Sequence, residues 1–255
     1  MRKLLTILSV GALAALGTSM GAAQEGDRAP VSRNYDLDGF EAVSVVGPHH
    51  VVISVGPGFS VRAEGPQQTL EDTEVEVEDG RLEIHPIEDE RWERRRRDRD
   101  YWENYRPATF HVTLPAITAA SLVGGGDMRI DRVEGEEFSA SVAGSGRVDL
   151  AALRVDDARF SIAGSGDLTA RGNARRSRIS IAGSGNLQAR EVTSDEASIS
   201  IAGSGNAALT VEDDARISIV GSGDVDIAGP ARCSVSRLGS GRVTCNGVER
   251  DSWRS

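Results

Sequence analysis

From residue 118 onward the chain repeats one arrangement of apolar and polar positions. Seven glycine triplets begin at Gly124, Gly144, Gly164, Gly183, Gly203, Gly221 and Gly239, spaced 20, 20, 19, 20, 18 and 18 residues apart. The first reads GGG and the rest GSG, and together they hold fifteen of the 29 glycines. Counted from the first glycine, positions −4 and −2 before the turn and +4 and +6 after it are apolar throughout, Arg237 alone excepted. Alternation with period two on both sides of a turn predicts strand–turn–strand with one buried face.

Position −3 is Ser in every copy, from Ser121 and Ser141 to Ser236. A hairpin has no need of identical residues at the same place in successive copies. A coil that stacks each strand on its equivalent one turn later does bring like residues together, about 4.8 Å apart. Position +3 supports the coil: Asp127, Arg147, Asp167, Asn186, Asn206, Asp224 and Arg242 place no two acids side by side. Asn186 and Asn206 are predicted to form an amide ladder, and the serines to bond along their own column. The repeat therefore predicts an all-β fold, a parallel β-helix with 18–20 residues per coil over 118–248. The usual hand of parallel crossovers makes it right-handed.

Residues 36–117 are less regular but keep the alternation at Val43/Val45, Val51/Ile53/Val55, Val61/Ala63, Val75/Val77, Leu82/Ile84 and Phe110/Val112/Leu114. Turn signals separate them at Gly47-Pro48, Gly56-Pro57-Gly58, Gly65-Pro66 and Asp79-Gly80. These predict wider, earlier coils of the same solenoid, and a single domain spanning 36–248.

The first 23 residues have the form of a cleaved signal peptide: Arg2 and Lys3, an apolar run from Leu4 to Leu16, then small residues before Ala23. Residues 24–35 are expected to be a disordered lead and 249–255 a tail. Cleavage would take the net charge from −10 to −12 and leave no transmembrane segment. So acidic a chain is not expected to bind nucleic acid. An exported location, periplasmic or at the cell surface, also makes Cys233 and Cys245 a disulfide. They lie at −6 and +6 of the last triplet, inward-facing positions, where a bond would lock the final coil.

The glycine triplets feed strands and not helices, which argues against a phosphate loop. A Ca²⁺-binding β-roll would need glycine turns on both edges of the coil. Asp127, Asp131, Asp149 and Asp167 fall on one face, but Arg129 and Arg147 lie between them, as in a salt-bridged surface. A glycosidase instead needs two carboxylates in different environments. His49 and His50 are adjacent and should point to opposite faces, while His85 and His111 stand alone, so neither a metal site nor a cofactor is expected. The serine column has no base beside it.

One segment repeats nowhere. Residues 88–106, EDERWERRRRDRDYWENYR, carry seven Arg, seven acids and four of the chain's aromatics. Trp92, Arg95, Arg96, Tyr101, Trp102 and Tyr105 are of types favoured at binding hot spots. They are candidates for a contact loop toward an envelope protein or a glycan; the alternative is a solvated insertion.

The succession FEAVSVVGPHHVVISVG, DGRLEI, FHVTLPAITAASLVGGGDM and serial SIAGSGN resembles the bacterial head-GIN-domain family, an autotransporter adhesin domain, over roughly residues 36–248. The resemblance implies a β-helical exported protein and brings no catalytic residues. No membrane-type strands follow the repeat in this sequence, so the autotransporter label is not expected to describe its export. The function expected is a non-enzymatic binding or structural module of the envelope, adhesin-like. The alternative is a carbohydrate-active β-helix enzyme, a polysaccharide lyase or hydrolase.

Overall fold

A computed structural model describes residues 30–95 and 97–249. The expected signal peptide, residues 24–29, Arg96 and 250–255 lie outside the described residues. The fold is nearly all β, 69% strand and 7% helix, wound into a β-solenoid of about 6 turns. Successive coils pair in parallel and in the predicted register: Ser121 with Ser141, Ser141 with Ser161, and so on to Ser218 with Ser236.

Within one coil, Arg147–Gly164, the inward residues are Val148, Leu150, Leu153, Val155, Ala158, Phe160 and Ile162. The step of two becomes a step of three at Leu150/Leu153 and at Val155/Ala158. Two neighbouring residues point outward there and the chain turns a corner, with a shift of register against the next coil at Leu150/Leu153. The glycine triplet makes the remaining corner, so each coil presents three faces around a core of aliphatic and small side chains.

Each glycine of the corner has its own reason. Gly144 has φ +123, and a Cβ on it would stand 2.5 Å from the carbonyl oxygen of Gly124 in the coil beneath. Gly146 has ordinary φ, but its Cβ would meet Gly126 O at 2.7 Å and Leu122 Cδ2 at 2.8 Å. The middle residue points outward, which is why serine is tolerated there and only there.

The early coils do not stack in chain order, a departure from the sequence expectation. Ala42–Val46 and His50–Val55 lie directly under Ala119–Gly124 and Asp127–Ile130. Beneath them come Arg81–Pro86 and Thr109–Leu114, strands that follow later in the chain. The lower end is then closed by antiparallel strands. Thr73–Glu78 pairs with Arg81–Pro86 through the turn at Asp79 (φ 48) and Gly80 (φ 74). Ser60–Pro66 pairs with Thr109–Leu114 on one side and with Pro30–Tyr35 on the other. For Thr73–Glu78 and Arg81–Pro86 the antiparallel pairing follows from chain economy, because a two-residue turn can join antiparallel neighbours but not parallel ones.

Two boundaries move. Residues 30–35, expected to be part of a disordered lead, form an edge strand with Val31 and Tyr35 packed against the core. Its backbone pairing does what its sparse apolar content could not signal. At the other end the turn at Asn246 (φ 56) and Gly247 (φ 74) folds Val248–Glu249 back antiparallel on Val243–Cys245. The pairing thus reaches one residue into the expected tail. The disulfide Cys233–Cys245 is formed in this last coil, with Cα atoms 6.5 Å apart.

Candidate functional site

Residues 87–108 connect Arg81–Pro86 to Thr109–Leu114, the same corner that GSG turns in the regular coils. The non-repeating segment is therefore an enlarged glycine corner of the lowest coil. It is not an irregular loop: Glu90–Arg95 and Arg99–Asn104 are helical. The Asp89 carboxylate accepts from the Trp92 N–H at 2.7 Å, and Asp98 caps the second helix by accepting from the Asp100 N–H at 2.9 Å.

The two helices meet through aromatic rings. Tyr101 and Trp102 lie 5.3 Å apart, Trp92 stands edge-on to both at 6.0 Å, and Tyr105 joins at 5.6 Å from Tyr101. Edge-to-face packing of this kind suits the ring quadrupoles. Trp102 keeps 44% of its surface exposed.

The cluster is held down at Asp72, 4% exposed, which follows the short helix Gln67–Glu71. One Asp72 oxygen accepts from the Arg95 guanidinium and the other from the Tyr101 hydroxyl at 3.2 Å. Burial pushes the Asp72 carboxyl above its ordinary range, against the opposing pull of Arg95 and Tyr101. Burial and the nearby Asp72 also push both tyrosine hydroxyls up, so they stay protonated donors. The Thr69 hydroxyl secures the segment's far end by donating to Arg106 O at 2.9 Å. Of the residues singled out in this segment, Trp92, Arg95, Tyr101, Trp102 and Tyr105 come together; Arg96 lies outside the described residues.

His49 sits under this insert, 2% exposed, with His50 pointing outward. Its Nδ1 accepts from the Ala108 N–H at 3.4 Å, so Nε2 carries the proton toward Thr73 Oγ1, also at 3.4 Å. The Thr73 hydroxyl in turn donates to Thr69 O at 2.7 Å. Desolvation, with a lesser contribution from His50, lowers the His49 pKa to about 4. Beside the first helix of the insert a groove of about 1050 Å³ opens, walled by Trp92 and Glu93 and floored by Val46, Glu83 and His85.

The aspartates weighed for chemistry are each engaged. Asp127 pairs with His50 Nδ1 at 3.1 Å, and Asp149 with Arg129 at 3.9 Å and Arg171 at 3.3 Å. Asp167 faces Arg147 at 3.6 Å and accepts from Asn186 Nδ2 at 2.9 Å. Asp131 accepts from the Val55 N–H at 2.9 Å. This is the interleaved surface the spacing predicted. The amide ladder also forms, Asn206 Nδ2 donating to Asn186 Oδ1 at 2.9 Å. The serine ladder does not: the column serines face outward, and no hydrogen bond joins one to the next among the described residues.

Sequence reasoning missed two features. Asp72 looked like any surface acid, and nothing local marked it as the insert's anchor. Residues 43–53 are a further copy of the repeat, with Ser44 paired to Ser121 and Gly47 at φ +129, hidden because its corner reads Gly-Pro-His. The serine three places before Gly47 was the available signal.

A parallel solenoid with an enlarged, aromatic-bearing corner defines the class of protein: a repeat scaffold carrying one irregular surface. The chain belongs to the family described as "Putative auto-transporter adhesin, head GIN domain", which matches residues 39–231. Solved structures share the fold at low identity. A putative adhesin from Bacteroides fragilis aligns with TM-score 0.72 and 18% identity, covering 84% of this chain and 96% of its own. A putative lipid binding protein from Parabacteroides distasonis aligns with TM-score 0.68 and 21% identity, covering 85% and 96%. A putative adhesin from the same species gives 0.65 and 19%, covering 86% and 98%. No curated protein matches the sequence. No helix among the described residues is long and apolar enough to cross a membrane.

Proposed function

We propose that this chain is an exported, non-enzymatic binding module of the bacterial cell envelope, adhesin-like, acting in the periplasm or at the cell surface after removal of residues 1–23. Its contact surface is the 88–106 insert with the adjoining groove. The observation that carries this reading is the replacement of a tight glycine corner by two helices sharing one aromatic cluster, with Trp102 44% exposed. A solenoid needs only three residues to turn that corner, so the two helices go beyond what the turn requires. Aromatic and arginine side chains held by a buried anchor lose little freedom on binding, which favours affinity. The family description and the neighbours' names, adhesin and lipid binding, agree with a binding role. The four aspartates Asp127, Asp131, Asp149 and Asp167 are each engaged by arginine, histidine, asparagine or backbone groups, which favours a surface role for them over acid–base chemistry.

The test replaces residues 88–106 with Gly-Ser-Gly in the mature chain and measures binding to envelope fractions and intact cells. Loss of binding with the solenoid's circular dichroism preserved is the expected result. Unchanged binding would end the contact-surface reading.

A further inference from the structure

A second surface lies on the face that follows each glycine corner, away from the groove at the insert. Its outward positions form two columns, one rising from Thr109 through His50 and the other from His111 through Val52, and both run the length of the solenoid. In the second column Ala208 stands between Gln188 and Asp226, where its neighbours carry long side chains. The short methyl leaves a hollow of about 410 Å³ with Asn206 on one rim. Asp226, on the other rim, pairs with Arg190 two coils below. Five coil steps below, about 24 Å away at the usual strand spacing, Val52 floors a like hollow of about 330 Å³ rimmed by His50, Asp127 and Arg129.

Both hollows have an apolar floor with hydrogen-bonding groups around it, the lower one the more charged because Arg147 and Asp149 also line it. Ion pairs already occupy charges in each rim, Asp226 with Arg190, Asp224 with Arg242 at 3.8 Å, and Arg129 with Asp149 at 3.9 Å, while His50 Nδ1 lies 3.1 Å from Asp127. An ionic ligand would have to break those pairs, whereas an uncharged one need not. The amide ladder adds a prepared set of donors. Each amide nitrogen of Asn186 and Asn206 spends one hydrogen on the residue below, at 2.9 Å, which orients the other outward. A pyranose ring has matching features, an apolar C–H face and a rim of hydroxyls, and a β-linked chain repeats them at nearly the interval of the coils.

We propose that this face binds an uncharged β-1,4-linked hexopyranose chain laid along the solenoid axis, one ring over Ala208 and another over Val52. The site is separate from the insert, so its failure leaves the insert reading standing. Cellohexaose and chitohexaose are titrated at up to millimolar concentration into the mature protein, followed by amide chemical shifts. The expected result is binding of at least one hexamer, with shifts at Gln188, Asn206 and Val52 together. Ala208→Leu, which fills the hollow at a half-buried strand position, should weaken it about tenfold, the loss of roughly one good contact. The disaccharides should bind more weakly because they cannot span both hollows. Binding must also persist when residues 88–106 are replaced by Gly-Ser-Gly. Binding of neither hexamer, equal binding by Ala208→Leu, or loss with the insert would each overturn the proposal.

Discussion

His49 holds the same place in its coil that Gly126 holds in the coil above, and of the two only His49 has room for a side chain. A Cβ on Gly126 would stand 2.2 Å from the carbonyl oxygen of His49. Beneath His49 the glycine corner is replaced by the insert, and the imidazole fills the opening, its ring centre 5.4 Å from Phe110.

That burial makes stability depend on pH. The folded-state pKa of His49 is lowered from 6.5 to about 4, so below pH 6.5 the unfolded chain takes up a proton that the folded chain does not. Its contribution is complete above pH 6.5 and is lost as pH falls toward 4, by about 3 kcal/mol in all. Urea unfolding at pH 7 and pH 4.5 should show the loss in the parent protein. His49→Gln, which cannot titrate, should be less stable at pH 7 but show a smaller pH dependence; an unchanged slope would assign the effect to other groups.

The glycine corner should tolerate substitution only at its centre. Gly144→Ala forces a left-handed φ of +123 and a contact of 2.5 Å on the coil beneath, and should cost at least about 2 kcal/mol. Ser145→Ala should stay within about 0.5 kcal/mol of the parent. Denaturant midpoints of the two variants provide the check, and equal midpoints would contradict the stacked geometry.

Asp72→Asn should loosen the insert without unwinding the solenoid. The substitution removes the charge that Arg95 approaches, an effect of about 1–3 kcal/mol on a local unit. Limited proteolysis should then cut within 88–106 sooner, and the fluorescence of Trp92 and Trp102 should shift toward that of solvated indole. The main β-sheet melting signal should move little.

Reduction of Cys233–Cys245 should act at one end only. The bond closes a short loop across a separation of 12 residues and is expected to stabilise it by about 3 kcal/mol. Hydrogen exchange after reduction should rise at residues 232–249 and remain unchanged around Ser161 and Ser180. A uniform rise would mean that the coils unfold together.

The sequence by itself, through its repeat, set the orientation of the side chains flanking each glycine corner from Ser121 to Cys245. Identical residues at one period can all be satisfied only when equivalent strands stack in register, so Ile181, Asn186 and the glycines between them had one reading. It also marked the insert and the disulfide, because both break the repeat. The remaining features depend on long-range pairing. Whether Ala42–Val46 lies above or below Arg81–Pro86 depends on pairings between strands far apart in the chain, and the alternation of Val43/Val45 and Leu82/Ile84 is the same in either order. The edge strand Pro30–Tyr35 exists because Ser60–Pro66 offered it unpaired backbone groups. Helices as short as Glu90–Arg95 and Arg99–Asn104 are marginal alone in water, and they fold here on Asp72, a residue whose importance came from the empty corner it faces.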